Sequence, residues 1–209
     1  MRLTTTAFAD MAPIPGEFAF AVIDPVAHVR LSANRNPDFA WHDVPAGTRS
    51  LALLCHDPDV PSSGDDVNRE GCVVPASLPR VDFFHWVLVD LAPTAAGIAR
   101  GAHADGVVPH GKPGPIAPDG ARHGANDYTG WFASDATMSG EYFGYDGPCP
   151  PWNDALAHRY VFTLYALDVP TLAVSGAFSG GVARAAMNGH VLAEATVTGR
   201  YTLNPAVVL

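Results

Sequence analysis

With 209 residues and 22.0 kDa, the chain is long enough to bury one sizeable core without disulfides or metal, and residues 1–209 read as a single domain. Lys and Arg number 12 against 21 Asp and Glu, a formal charge of -9 with no basic run, which excludes a nucleic-acid-tracking face and a polybasic membrane patch. The 3 cysteines lie in no C-x-x-C pairing and point to a reducing, cytoplasmic setting, and the absence of any run of eighteen apolar residues argues against stable membrane insertion.

Residues 1–50 are rich in proline and small polar residues, and predict an irregular lead-in carrying one early strand around Phe18 to Ile23. Leu51 to Cys55 predicts a short buried strand stopped by Asp57-Pro58, because Pro58 lacks an amide donor and restricts the residue before it. Phe83 to Leu91 predicts a central strand with Phe83, His85, Val87 and Val89 on one face and Phe84, Trp86, Leu88 and Asp90 on the other. The glycine, proline and histidine content of Gly101 to Gly130 predicts a long surface excursion. Arg159 to Leu167 is a third strand. Gly181 to Ala195 reads as helix, with Asn188-Gly189 a candidate break and Ser179 a candidate cap, and Thr196 to Leu203 as a last strand.

Three segments carry candidate chemistry. His85 stands in an apolar strand, so its imidazole is either a satisfied core group or part of a cavity wall. Asp57 and Asp59 flank Pro58, with Pro61 close behind; such a stiff turn either bonds its own amides or orients a histidine ring. Gly147-Pro148-Cys149-Pro150-Pro151 has three prolines in four positions, which predicts a rigid pocket rim, and His158 follows at the entry to the third strand. Two imidazoles and local backbone dipoles suit a phosphate or carboxylate oxygen. A Cys149 thiol triad is disfavoured because nothing nearby lowers the thiol's pKa. His56, His85 and His158 lack zinc-ligand spacing, and there is no Walker, dinucleotide or G-x-S-x-G motif, so neither metal nor cofactor is expected.

DPDVPS, FFHWVLVDLAP, HGANDY, GYDGPCPP and HRYVFTLYALD occur in that order, followed by HVLAEATVTGRYTL. From about Leu51 to Tyr201 the chain resembles the phosphatidylethanolamine-binding protein family, and within it the prokaryotic Raf-kinase-inhibitor-like branch. The resemblance implies a mainly β fold of two antiparallel sheets with peripheral helices near the C-terminus. It implies a cavity for phosphate or a phosphorylethanolamine-like headgroup, and no catalytic activity. It places Asp57, Asp59, Pro61, His85, Gly147, Cys149, Pro151, His158 and Tyr160 at the ligand site. Three departures stand out: the long stretch Trp131 to Tyr142, which can fold over the pocket mouth or alter a homodimer surface; Asp146; and Trp152-Asn153-Asp154, expected to make the rim less welcoming to phosphate.

The first functional reading is therefore a cytoplasmic anion- or headgroup-binding protein, with His85 and His158 as donors and Asp57 orienting an imidazole. A second is a kinase-inhibitor-like module that binds a protein partner through the rim. A third is a hydrolase or lyase using Asp57 and His85 as acid and base.

Overall fold

The computed structural model describes the backbone of residues 1–209 and every side chain except that of Asp119. Among the described residues, ten strands and two short helices follow one another: β1 (Arg2–Thr4), β2 (Ala21–Asp24), β3 (His28–Leu31), β4 (Phe39–His42), β5 (Ser50–Pro61), β6 (Arg80–Leu91), β7 (Gly97–Ile98), β8 (Arg122–His123), α1 (Tyr128–Trp131), β9 (His158–Leu167), α2 (Gly180–Ala186) and β10 (Val191–Tyr201). The large sheet runs β10-β9-β5-β6-β8, a smaller sheet runs β1-β4-β7, and β2 and β3 form a separate ribbon. All named pairings are antiparallel. The mainly β expectation holds, with the ribbon added to the two expected sheets.

Alternation along β5 explains how the sheet is covered on both faces. Leu51, Leu53 and Cys55 face the smaller sheet, where they meet Phe39, Trp41 and Ile98. Ala52 and Leu54 point the other way, towards Phe178, Ala183 and Met187 at and beside α2. A strand buried on both faces reads as a continuous apolar run, which is why it is visible in sequence.

Four expectations are corrected. Residues 1–50 hold four strands rather than one, and they contribute Leu3, Phe18, Phe39 and Trp41 to the main core. Asp57-Pro58 does not stop β5. Pairing with β9 ends at His56, and the register against β6 jumps between Asp57 and Val60, so Pro58 sits at an irregularity where no ladder donor is demanded. The helix after Ser179 ends at Ala186, and Val191 to Ala195 belong to β10, paired with β9. Ser179 does cap it, its Oγ accepting from the Val182 amide at 3.3 Å. The span from Gly101 to Gly130 is not all surface, since Ala104, Ala117, Ala121, His123, Asn126 and Tyr128 are buried.

The two faces of β6 also differ from a simple alternation. Phe83, Trp86 and Leu88 pack in the main core, whereas Phe84, Val87 and Val89 pack under α2. Cys55 pairs with Trp86 and His56 with Phe84, so His85 is the extra residue of a β-bulge. The bulge puts His85 and Trp86 on the same side and shifts each of Val87, Leu88 and Val89 to the face opposite its expected one, until a second register slip opposite Leu51–Leu53 returns Leu91 to the main core.

Truncation of Leu53, fully buried between the sheets, is expected to cost about 2–5 kcal/mol. Leu53→Ala should lower the urea midpoint with an unchanged slope; a midpoint within error of the parent would show that this inter-sheet core is not the fold's main support.

Candidate functional site

The end of the large sheet opens into a cavity of about 270 Å³. Asp57, Val60 and Pro61 of β5, Phe83 and His85 of β6, and His158 and Tyr160 of β9 form one side. Val29 and Leu31 of the ribbon, Val67 and Asn68, Trp131 and Phe132, and the Cys149-Pro150-Pro151 segment close the others. The walls are mostly apolar and aromatic, and the ionisable groups gather at the β-sheet side.

Each polar group there has an identifiable orientation. His158 Nδ1 lies 2.7 Å from Asp57 Oδ2, and its Nε2 lies 3.1 Å from Asp154 Oδ2. Asp154 in turn receives Arg80 Nη1 at 2.6 Å and Nη2 at 3.1 Å. Burial opposes charge on His158, but the Asp57 and Asp154 carboxylates outweigh it and raise its pKa to about 9. Burial likewise opposes charge on Asp154, yet its bonds to His158 and Arg80 hold its pKa below the ordinary carboxylate value. The result is a buried chain of alternating charge, Asp57, His158, Asp154 and Arg80.

His85 is set differently. Its Nδ1 lies 2.8 Å from the Asp146 carbonyl, which can only accept, so Nδ1 carries the proton and Nε2 of the neutral ring keeps a lone pair. The Asp146 amide donates back to the His85 carbonyl at 3.0 Å. Burial lowers the ring's pKa and favours the neutral form. Tyr160 lines the same cavity, its ring 5.0 Å from that of His85, and its buried hydroxyl has no hydrogen-bond partner. Burial first, and the nearby Asp57 charge second, push the phenol well above its usual pKa, with Asp57 outside good hydrogen-bond geometry. Burial also lifts the Cys149 thiol to about 12, which keeps it neutral.

Seven of the nine residues singled out in the sequence therefore line one cavity: Asp57, Pro61, His85, Cys149, Pro151, His158 and Tyr160. Asp59 and Gly147 do not. The Asp59 carboxylate turns outward to Arg159, accepting from its Nε at 2.9 Å and Nη2 at 2.8 Å. Gly147 lies against the backbone of Phe18 and Ala19, where any side chain would collide with the Phe18 carbonyl. His158 lines the cavity but has no donor to offer, because both ring nitrogens already serve carboxylates.

Matches to known proteins extend the same pattern. The model of the phosphatidylethanolamine-binding protein family matches residues 4–202, nearly the whole chain. The chain belongs to this family. Within it, a UPF0098 protein of Methanothermobacter thermautotrophicus is 33% identical over 201 residues, covering 96% of this chain and 98% of the relative. The UPF0098 protein YbhB of Escherichia coli is 30% identical over 169 residues, covering 81% of this chain and 82% of YbhB. A solved phosphatidylethanolamine-binding protein homolog from Chlamydia trachomatis superposes with a TM-score of 0.62 at 28% identity, covering 96% and 95% of the two chains. Escherichia coli YbcL superposes at 0.67 with 23% identity, covering 96% and 97%, a likeness of fold. The family match reaches back across the first fifty residues, consistent with their place in the core.

Two of the features read as departures from the phosphatidylethanolamine-binding protein pattern prove to be supports. Asp146, fully buried, accepts from Asn34 Nδ2 at 2.7 Å and Asn126 Nδ2 at 2.8 Å and pairs with Lys112 at 2.8 Å, directly behind the carbonyl that holds His85. Asn153 receives the Asn68 amide at 2.9 Å and donates to the carbonyls of Asp66, Arg69 and Cys72, pinning the 64–72 loop that walls the cavity. Asn34 and Lys112 lie outside the quoted motifs, and Asn126, though inside HGANDY, carries no local sign of its partner twenty residues on. The third departure, Trp131 to Tyr142, places Trp131 and Phe132 in the cavity wall.

The raised pKa of His158 has a sign that can be checked. Its contribution is fully present below about pH 6.5, where the unfolded chain is also protonated, and is lost as pH rises through about 9. At most about 3 kcal/mol is at stake. Urea midpoints measured from pH 6 to pH 9.5 should fall across this window, and the His158 ring signals should still report the charged form at pH 8. A neutral ring at pH 8 would remove the alternating chain. Separately, Gly147→Ala should destabilise by about 1–3 kcal/mol through the Phe18 collision, read as a lower thermal midpoint.

Proposed function

We propose that the protein binds a small ligand with a phosphoryl-type head group in this cavity. The observation that carries the reading is the buried Tyr160 hydroxyl, unpartnered among the described residues and carried on a ring 5.0 Å from that of His85, whose Nδ1 alone is bonded, in a pocket whose other walls are mostly apolar. A buried hydroxyl without a partner costs free energy, which a ligand oxygen would recover.

The form of the head group follows from the donors on hand. Among the described residues no Lys or Arg lines the cavity, and His158 is held by two carboxylates, so a bare dianion would meet no uncommitted cation in its wall. A phosphomonoester carrying one proton fits better: its P–OH donates to His85 Nε2 while Tyr160 O–H donates to another phosphoryl oxygen. Equivalently, a dianion enters with a proton that settles on His85. Asp57 orients His158, so the ligand-facing imidazole is His85 alone, and the Asp57–His85 acid–base pair of a hydrolase finds no support in the hydrogen bonds.

Calorimetry with phenyl phosphate at pH 8, in buffers of differing ionisation heat, should register uptake of close to one proton per ligand bound and an affinity that rises on acidification. His85→Ala should abolish the proton uptake, and Tyr160→Phe should weaken binding roughly tenfold. Equal affinity and equal proton counts in all three proteins would overturn the reading.

A second reading, protein interaction through the rim in the manner of a kinase inhibitor, draws on Trp131, which lines the cavity yet is 53% exposed. The three free cysteines, Cys55, Cys72 and Cys149, support a reducing cytoplasmic setting. No helix among the described residues is long and apolar enough to cross a membrane.

A further inference from the structure

One contact outside the ligand-facing groups joins three walls of the cavity. The His28 ring lies flat on Trp152, with ring centroids 3.9 Å apart and an interplanar angle of 7°. Its Nε2 is 2.6 Å from Glu70 Oε1. Each of these residues is within two positions of cavity lining on its own segment: His28 precedes Val29, Glu70 follows Asn68, and Trp152 follows Pro151.

The three segments are not equally fixed. Trp152 and the 64–72 loop are tied together, since Asn153 holds the loop's carbonyls and the Trp152 amide donates to Asn68 Oδ1 at 2.9 Å. Apart from His28, the ribbon's hydrogen bonds to the rest of the chain lie at its base. There the Phe20 amide donates to the Pro148 carbonyl at 3.0 Å, Ser32 donates to Phe20, and Tyr201 Oη donates to the Ala21 carbonyl at 2.9 Å. At the tip, Asp24 accepts from Val26 and Ala27 within the turn itself, and Val26 is 90% exposed. Between residues 24–28 and the chain outside the ribbon, the hydrogen bond found among the described residues is His28 to Glu70. An isolated two-stranded ribbon is marginally stable in water, so a tip held through the contacts of one residue, His28, can lift about its base.

His28 also adopts φ +64°, a left-handed conformation uncommon for a residue with a side chain, and this conformation accompanies a ring laid on the indole. We propose that the β2–β3 ribbon is a flap over the cavity and that His28, clasped between Trp152 and Glu70, is its latch. Lifting the tip withdraws Val29 and Leu31 from the wall and opens a side entrance, while the floor at Asp57, His85 and Tyr160 stays in place. The latch governs passage of whatever head group the cavity takes, and it leans on the phosphoryl reading only for its ligand measurement.

The test releases the latch from both sides. His28→Asn removes the stacked ring but tolerates positive φ, and Glu70→Ala removes the acceptor from a residue whose side chain is 80% exposed, so both variants should fold. Amide hydrogen exchange of Val22, Ile23, Val29 and Arg30 is expected to accelerate about five- to tenfold in each variant, with β5 and β9 unchanged. Unchanged ribbon exchange in either variant would overturn the latch, including the case in which only His28→Asn responds, which would mark a local effect on the turn. With phenyl phosphate as probe, both association and dissociation should quicken while the equilibrium constant holds. Failure of phenyl phosphate to bind the parent protein would remove the phosphoryl reading and leave the exchange result to decide the flap.

Discussion

The buried run of alternating charge from Asp57 through His158 and Asp154 to Arg80 is the constraint on which the site depends. It links β5, the entry to β9 with the segment just before it, and the start of β6, so three distant stretches are held in one register by side chains. Taking these charges out of water is expensive, and each is retained because every neighbour it has in the run carries the opposite sign. The charged histidine is thereby a structural cation. Its commitment to two carboxylates sets the electrostatics of the cavity: the imidazole left with an uncommitted ring nitrogen is the neutral one on β6, across β5, not the charged one.

Two irregularities in the β-sheet put that imidazole in place. A bulge at His85 breaks the alternation of β6, so the ring joins Trp86 on the inner side instead of following Val87 outward. A second slip around Asp57-Pro58-Asp59 lets a proline sit inside a long strand and divides the two carboxylates, one to His158 and one to Arg159. Bulges next to sites re-aim side chains at the expense of ladder hydrogen bonds. Here the lost pairing is partly replaced by Asp146, whose amide and carbonyl bond the His85 carbonyl and ring.

Much of this was legible in the chain. Buried strands at Leu51, Phe83 and Arg159 announced themselves by apolar runs, and the rigid proline segment by composition. The order of motifs identified the family and gathered seven of the lining residues. What stayed hidden has a common cause, namely that its determinants are nonlocal. Pro58 reads as a terminator unless one knows that the partner strand slips beside it. The helical look of Val191 to Ala195 gave way to pairing with β9, tertiary contact overriding propensity. Residues 1–50 lack strong periodicity because their strands are three or four residues long, yet Phe39 and Trp41 complete the core. Asn34 and Asn126, both in loops, hold Asp146 from more than a hundred and from twenty positions away, respectively.

The proline segment beside the ligand cavity has a consequence beyond stiffness. Between Pro148 and Pro151, Cys149 alone retains a backbone N–H, so this stretch cannot zip onto a neighbouring strand. An ordinary loop at that point, lying between a sheet and a ribbon, would compete to extend one of them and fill the gap by main-chain pairing. Scarcity of amide protons removes that competing arrangement, and the hollow persists because the backbone around it has nothing with which to seal it.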